Sequence, residues 1–388
     1  MHRALIQQLD LAHIEDHSSG MVFWHPNGTK IYNIIQSYIR EIHNKYGYLE
    51  IRTPIMLDKS LFELSGHIEK FSENMFFVKD EEKTFVLKPM SCPAHIEIYR
   101  NTIRSYKELP LRYYEFGMVH RNESSGSYHG LMRVKQFIQD DSHIFSTESQ
   151  ILNETKNYID MVREIYSKFG FESFEVKLST RPQNYMGEES LWDKAEESLA
   201  EACKKSNVKY EISPGNGAFY GPKLEMTLFD QHSRPWQCGT IQVDFQLPIR
   251  FGLSYVSETG SKTDRPVILH HAVLGSLERW IGIILENTCG NLPLWLAPLQ
   301  TVVVQVSDKS SDYAHKVNNI LLNAGLRTSL DQKNDILSAK IAHYSSLKVP
   351  YIIVVGEKDM ANNTVSIRKI GSPKSNVMPI VDLLSFIN

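Results

Sequence analysis

Arg133, Phe137, Gln139, Asp141 and His143 stand two or four residues apart in the stretch that ends VKQFIQDDSHIF. In an extended chain that period places all five on one face. A guanidinium suited to phosphate, a flat ring suited to stacking on a base, an amide, a carboxylate and an imidazole in one row describe a polar pocket on a rigid sheet. A solvated sheet face with one packed Phe has the same pattern. The preceding strand, in LRYYEFGMVHRNE, ends with Arg121 and Glu123, again on one side. Arginine meets phosphate or carboxylate oxygens bidentately, and a nearby glutamate can accept from an amino group of a nucleobase or substrate. As a bare pair the two would equally make a surface ion pair. Val267 to Leu274 reads as a strand leading through Gly275-Ser276 into an amphipathic helix with Leu277, Trp280, Ile281, Ile284 and Leu285. Arg279 sits in its first turn, where the helix dipole disfavours positive charge, so a phosphate partner would account for it. Cys92, His143 and His270 are of metal-ligand type, but no spacing rule connects residues so far apart, and lone Cys and His are usually packing residues.

The elements that must position these groups follow from periodicity. Ile31, Ile34, Ile35, Tyr38, Ile39 and Ile42 predict a helix that stops at Gly47, followed by an extended Tyr48 to Ile55 segment interrupted by Pro54. The two strands around the Ser/Gly-rich SSGSYHG predict an antiparallel hairpin with a long loop. In TIQVDFQL, Ile241, Val243, Phe245 and Leu247 alternate with Gln242, Asp244 and Gln246, the pattern of a half-buried antiparallel strand. Beyond Pro293 and Pro298 the apolar strands TVVVQV and YIIVVG alternate with helical stretches near 313–324 and 335–347, which predicts a small α/β domain with a largely parallel sheet. The boundary falls between Leu296 and Leu299, giving domains of 1–297 and 298–388.

Length and composition bound the function class. The 388 residues suffice for two or three domains, and 42% apolar content suffices for ordinary globular cores. No stretch of about 20 apolar residues occurs, and the N-terminus is too charged for a signal-peptide core, so the expected location is the cytoplasm, away from membranes. Cys92, Cys203, Cys238 and Cys289 lack any paired spacing, which argues against a disulfide framework. A net charge of -3 excludes a uniformly basic nucleic-acid coat. From Pro298 onward ten Lys plus Arg against seven Asp plus Glu give a local +3, which leaves -6 for the remainder. An ordinary solvated surface explains that bias equally well.

Longer strings resemble a known family. GMVFWHPNGTKIY with Pro54, KPMSCPAH, HRNESSGSYHGLMRVKQFIQDDSHIF, AFYGPKLE, WQCGTIQVDFQLP and HHAVLGSLERWIG are similar to the class II aminoacyl-tRNA synthetases, and among them to the threonine-specific family, over essentially the whole chain. The resemblance implies an α+β fold: an antiparallel sheet of six to seven strands flanked by helices, then an α/β anticodon-binding domain. It implies a threonine-tRNA ligase that forms threonyl-adenylate from ATP with Mg²⁺ and passes threonine to the 3′-end of tRNA(Thr). Cys92, His143 and His270 match zinc ligands, and three protein ligands leave a position open, as in working rather than structural zinc sites. The zinc would read the amino and hydroxyl groups of threonine. Asp141 matches the carboxylate beside the substrate amine; Gln139, Tyr220, Lys223, Thr240 and Gln242 match groups around the amino acid. Arg121 matches the α-phosphate contact, Glu123 and Phe137 the adenine contacts, and Arg133 and Arg279 the γ-phosphate contacts, with Gln242 and Ser276 on the same floor. Arg121, Lys223 and Arg279 would align and neutralise the reacting phosphate, and His67 matches a histidine implicated in transfer to the terminal ribose. The segment Gly20 to Pro54 matches the family's dimer-forming motif, so a homodimer is expected.

The sequence departs from the family in three ways. It begins where the family's catalytic domain begins, so the N-terminal and editing domains are not expected in it. Ala94 and Gln136 stand where the family favours glycines, a small change provided the backbone there is not at positive φ. Asp335, Ile336, Ser338 and Ala342 replace residues favoured for anticodon contact, which weakens that expectation. A non-catalytic synthetase-like protein and a seryl- or prolyl-type synthetase are the competing readings; intact Arg121, Arg279 and the Cys92, His143, His270 set speak against them.

Overall fold

The computed structural model describes residues 1–372 and 374–387. They form two compact units, each assembled from separated stretches: Met1–Ile14 and Val22–Ile35 cluster with the chain from Ile284 onward, and Glu15–Met21 clusters with Gln36–Ile283. Among the described residues no helix is long and apolar enough to cross a membrane.

The unit ending at Ile283 is built on one eight-stranded sheet. Its strands are β1 (Leu49–Glu50), β2 (Leu111–His120), β3 (Gln136–Ser146), β4 (Glu175–Ser179), β5 (Tyr210–Ser213), β6 (Lys223–Phe229), β7 (Pro235–Asp244) and β8 (Val267–Ala272). They lie side by side in the order β5-β4-β6-β7-β8-β3-β2-β1. The six inner strands are antiparallel, and only the short edge strands β5 and β1 pair in parallel. Against an expected six to seven antiparallel strands, the sheet has six, with a parallel strand added at each edge.

One face of the sheet is covered by helices. The helix Ile151–Lys168 turns Tyr158, Ile159, Val162, Ile165 and Tyr166 inward, a stripe at helical spacing. Two of these residues also carry a polar tip: Tyr158 Oη donates to the carbonyl of Ala272 (3.0 Å) and Tyr166 Oη to that of Val273 (2.9 Å). The helix Pro26–Lys45 begins with Pro26, whose fixed φ suits a first turn, and stops before Gly47 at φ +76°. It is longer than the apolar repeat alone predicts.

Two expected strands are shorter than their alternation suggests. Arg133 lies in a bend before β3 rather than on the strand. The strand read through Leu247 ends at Asp244, because Asp244 Oδ1 accepts the N–H groups of Gln246 (2.6 Å) and Leu247 (3.0 Å) and starts the helix Gln246–Arg250.

The other unit carries a five-stranded sheet. Thr301–Gln305 pairs in parallel with Thr328–Asp331 and Tyr351–Val355, and Thr364–Lys369 and Asn376–Pro379 follow antiparallel, so the expected parallel sheet gains two antiparallel strands. Val303 packs with Val317 and Leu321 of the helix Ser311–Asn323, while Val302 and Val304 pack on the other side with Tyr344 of Leu337–Ser346. Burial on both faces explains the uninterrupted valine run. Asp335, Ile336, Ser338 and Ala342 are all exposed, Ile336 at 77%.

Candidate functional site

Strand register draws the site. Lys223, Gln242, His270 and His143 are directly opposed across β6, β7, β8 and β3, so they form one row on one face. Two residues along, Thr240 opposes Glu225, and Asp141 opposes Glu115. A bridge joins Gln139 to Ser276. The period-two reading of β3 therefore holds for Phe137 to His143.

Cys92 reaches this face from the start of the helix Cys92–Arg100. Its sulfur and the ring nitrogens of His143 and His270 all lie within 4.8 Å of one another, and all three residues are buried. Hydrogen bonding fixes the outer side of each ring and leaves the inner nitrogen bare. His143 Nδ1 lies 2.9 Å from His95 Nδ1, and His270 Nε2 lies 2.9 Å from Asp244 Oδ2, while His143 Nε2 and His270 Nδ1 have no partner. Burial, reinforced by Asp141 and Asp244, pushes the Cys92 thiol well above its usual range, and burial holds His143 well below its own. Two imidazole nitrogens without protein partners and a buried thiol are the donor set a zinc ion takes, and coordination would itself deprotonate the thiol. The residues fit the metal.

Asp141 is buried beside this triad and accepts the N–H of Ser91 (3.3 Å). Burial, with Glu115 adding to it, raises its carboxyl. A substrate ammonium would relieve that. Tyr220 Oη donates to Gln242 Oε1. Gly221 permits this approach: a Cβ there would stand 1.7 Å from the carbonyl oxygen of Val243. Lys223 Nζ is 2.8 Å from Glu225 Oε1. His67 is fully buried near Phe219, with Nδ1 2.6 Å from Ser65 Oγ and Nε2 bare. Burial, followed by the neighbouring His270, Arg121 and Arg250, lowers its pKa to about 4.

A cavity of about 440 Å³ adjoins, lined by Arg121, Glu123, Arg133, Phe137, Ser276 and Arg279 among others. Arg121 stacks over Phe137 at 5.2 Å, and Arg133 pairs with Glu123 at 2.6 Å. Gly275, at φ +79°, makes the turn into the helix Leu277–Asn287, whose first turn carries Arg279. Gln242 and Thr240 do not line this cavity; they stand on the strands beside the triad. Neither Ala94 nor Gln136 is at positive φ, so both replacements are accommodated without backbone strain.

Several residues of the site escape sequence reading. Trp236 also lines the cavity, with Arg279 5.9 Å from its ring. Asp244 reads as one more polar position of an alternating strand, yet it is fully buried. Behind His143 a second chain is packed: His95 Nε2 is 3.3 Å from Glu115 Oε1, which also takes Lys88 Nζ at 2.6 Å. Burial alone would raise the Glu115 carboxyl, but the adjacent His95 imidazole and the Lys88 ammonium hold it well below the carboxylate range. His95 follows Cys92 by three positions on a helix, a spacing that puts both on one face and was the available signal.

Comparison with known proteins points the same way. Residues 75–288 match the tRNA synthetase class II core domain (G, H, P, S and T), and residues 300–388 match the anticodon binding domain. The threonine--tRNA ligase of Rickettsia bellii is 48% identical over 386 residues, covering 100% of this chain and 61% of that protein. The chain thus spans about three-fifths of the length of the curated relatives it matches. A crystal structure of the RNA binding domain of threonyl-tRNA synthetase from Cryptosporidium parvum superposes with a TM-score of 0.94 at 39% identity, covering 100% of this chain and 97% of the other. A threonyl-tRNA synthetase structure from Aeropyrum pernix gives a TM-score of 0.83 at 30% identity, with 97% and 90% covered.

Proposed function

The chain belongs to the class II aminoacyl-tRNA synthetases, in the threonyl-tRNA synthetase family, and from that premise we propose that it activates threonine with ATP and transfers it to tRNA(Thr). The observation that carries this reading is the buried convergence of Cys92, His143 and His270 beside Asp141, on the face that continues into the cavity of Arg121 and Arg279. In it, residues 1–297 hold the chemistry and 298–388 approach the anticodon.

The amino acid lies on the row His143–His270–Gln242. Its ammonium faces Asp141, whose buried carboxyl needs a cation, and Gln139, Tyr220 and Thr240 border it. A zinc ion held by Cys92, His143 and His270 would supply open coordination positions for the amino and hydroxyl groups of threonine. ATP, accompanied by Mg²⁺, occupies the adjoining cavity. Phe137 borders the adenine region, Glu123 accepts from its amino group, Arg121 faces the α-phosphate, and Arg133 and Arg279 face the outer phosphates, with Ser276 on the floor. In the first step the threonine carboxylate oxygen bonds to the α-phosphorus and the bond to pyrophosphate breaks. Arg121, Arg279 and Lys223 align the partners and neutralise the charge that builds on the phosphoryl oxygens. In the second step a ribose hydroxyl of tRNA bonds to the carbonyl carbon, its proton passes to His67 Nε2, and the bond to AMP breaks so that AMP leaves. The bare Nε2 of neutral His67 accepts from that hydroxyl and orients it.

Amino-acid-dependent ATP–pyrophosphate exchange with threonine, serine and proline tests the proposal. Exchange should be strongest with threonine, and equal or greater exchange with proline would refute it. A homodimer is part of the same reading: Leu49 on β1 and Ile55 and Met56 beyond it are 55%, 40% and 46% exposed, and a two-fold partner would cover them.

A further inference from the structure

The polar contacts behind the metal-type triad favour one arrangement of protons. Glu115 Oε1 sits 2.6 Å from Lys88 Nζ, accepts from Thr53 Oγ1 at 2.8 Å and lies 3.3 Å from His95 Nε2. Glu115 Oε2 accepts the N–H of Thr53 at 3.0 Å, and Lys88 Nζ donates to Thr53 Oγ1 at 2.7 Å. Lys88, His95 and His143 are at most 1% exposed and Glu115 is 3% exposed, so these contacts are shielded from bulk solvent. An ionised carboxylate only accepts. His95 Nε2 makes no hydrogen bond of good geometry, and the Glu115 carboxylate at 3.3 Å is the acceptor it meets, so a neutral ring carries its hydrogen on Nε2 and leaves Nδ1 as an acceptor. His95 Nδ1 faces His143 Nδ1 at 2.9 Å, so the hydrogen between them is carried by His143 Nδ1. The lone pair of His143 must then lie on Nε2, the atom with no partner in the protein.

We infer that Lys88, Glu115 and His95 form a buried relay of positioning residues that locks His143 in its metal-ligating tautomer. The inference rests on the zinc reading above. The relay does for His143 what Asp244 does for His270 in one step, a carboxylate behind an imidazole. It needs an intermediate ring because Glu115 belongs to β2, where it opposes Asp141 rather than His143. Thr53 and Lys88 hold both carboxylate oxygens, so Glu115 cannot turn away from His95. Without the relay the His143 proton would be free to sit on Nε2, where it would block the metal.

The test is zinc affinity, measured by chelator competition on the purified full chain, with the visible spectrum of the cobalt-substituted protein as a second readout. His95→Leu keeps bulk but neither accepts nor donates, and should weaken zinc binding by about 10- to 100-fold. His95→Gln can both accept and donate, and should recover most of that loss. A packing role would rank the two variants the other way, or equally. The neutral double variant Lys88→Gln with Glu115→Gln should weaken zinc several-fold and shift the cobalt bands; it carries the test if His95→Leu fails to fold. Unchanged zinc affinity in His95→Leu, or in the double variant, overturns the relay while leaving the metal reading intact. A wild-type chain that binds no zinc overturns both.

Discussion

His270 and His271 are neighbours in sequence and almost equally buried, at 5% and 2% exposed, yet they face opposite sides of the central sheet and belong to different kinds of structure. On the helix-covered face, His271 Nε2 is 2.7 Å from Tyr48 Oη, and its ring packs against Tyr158 and His43. Asp140 on β3 accepts the N–H groups of Val273, Leu274 and Gly275 at 2.8 to 2.9 Å. On the other face, His270 and Asp141 present bare or raised groups to a shared space. The two faces use the same residue types. A bare atom alone does not separate them, since His271 also keeps an unpartnered Nδ1. Convergence does: among the described residues only Cys92, His143 and His270 bring three metal-type ligands together.

The largest expected effect tests that convergence. Cys92→Ser should lose zinc and threonine activation together, because a hydroxyl is a poor zinc ligand beside a thiolate. Metal analysis and pyrophosphate exchange check it, and full activity of metal-free protein would break the comparison at its root. Next comes discrimination between amino acids. A site that engages a hydroxyl should reject valine by roughly 10⁴-fold or more, whereas serine lacks only a methyl and should trail by roughly 10- to 200-fold. Relative kcat/KM in the exchange assay decides it, and comparable use of valine would show that no group in the pocket reads the hydroxyl. Third, Arg279→Ala should lower adenylate formation by about 10²- to 10³-fold, the usual scale for one group stabilising transition-state charge. Single-turnover adenylate formation measures it, and a change in KM for ATP alone would assign Arg279 to ground-state binding.

How much of this was legible in sequence depends on how far apart the cooperating residues lie. The row Phe137 to His143 was readable because it sits on one strand with period two. The helix Pro26–Lys45 and the Gly275 turn were readable for similarly local reasons. The assembly of Cys92 with His143 and His270 was not, because strand pairing between β3 and β8 brings them together, and only family resemblance suggested it. Arg133 was misplaced because alternation runs back through the letters past the point where the strand begins in space. Asp244 was overlooked because a polar position on an alternating strand looks solvated until a helix start and a histidine claim both of its oxygens.

The smallest effect belongs to the helix-covered face, and its sign follows from burial. His43 is fully buried, with Nδ1 2.9 Å from the Ile39 carbonyl and its ring stacked on Tyr114 at 4.3 Å. Burial lowers its pKa from 6.5 to about 4, against smaller opposing contributions from the Ile39 carbonyl and Glu50. Between those two values the unfolded chain binds a proton that the folded chain does not, so folding is penalised as pH falls from about 6.5 towards 4, and the penalty is absent above that window. For this one group the loss should be about 1 kcal/mol at pH 5.5. His43→Phe keeps the stacking shape and removes the titration. It costs the contacts to the Ile39 carbonyl and to Ser142 Oγ (3.3 Å) at every pH, about 1–2 kcal/mol, so the variant should be less stable than wild type at pH 7.5. At pH 5.5 the gap should narrow. Urea unfolding of both proteins at the two pH values measures this narrowing, with zinc content and exchange activity unchanged at pH 7.5 because His43 lies on the face away from the site. A gap that stays constant with pH would mean that His43 is not held neutral, and the helix-covered face would lose its standing as the purely structural one.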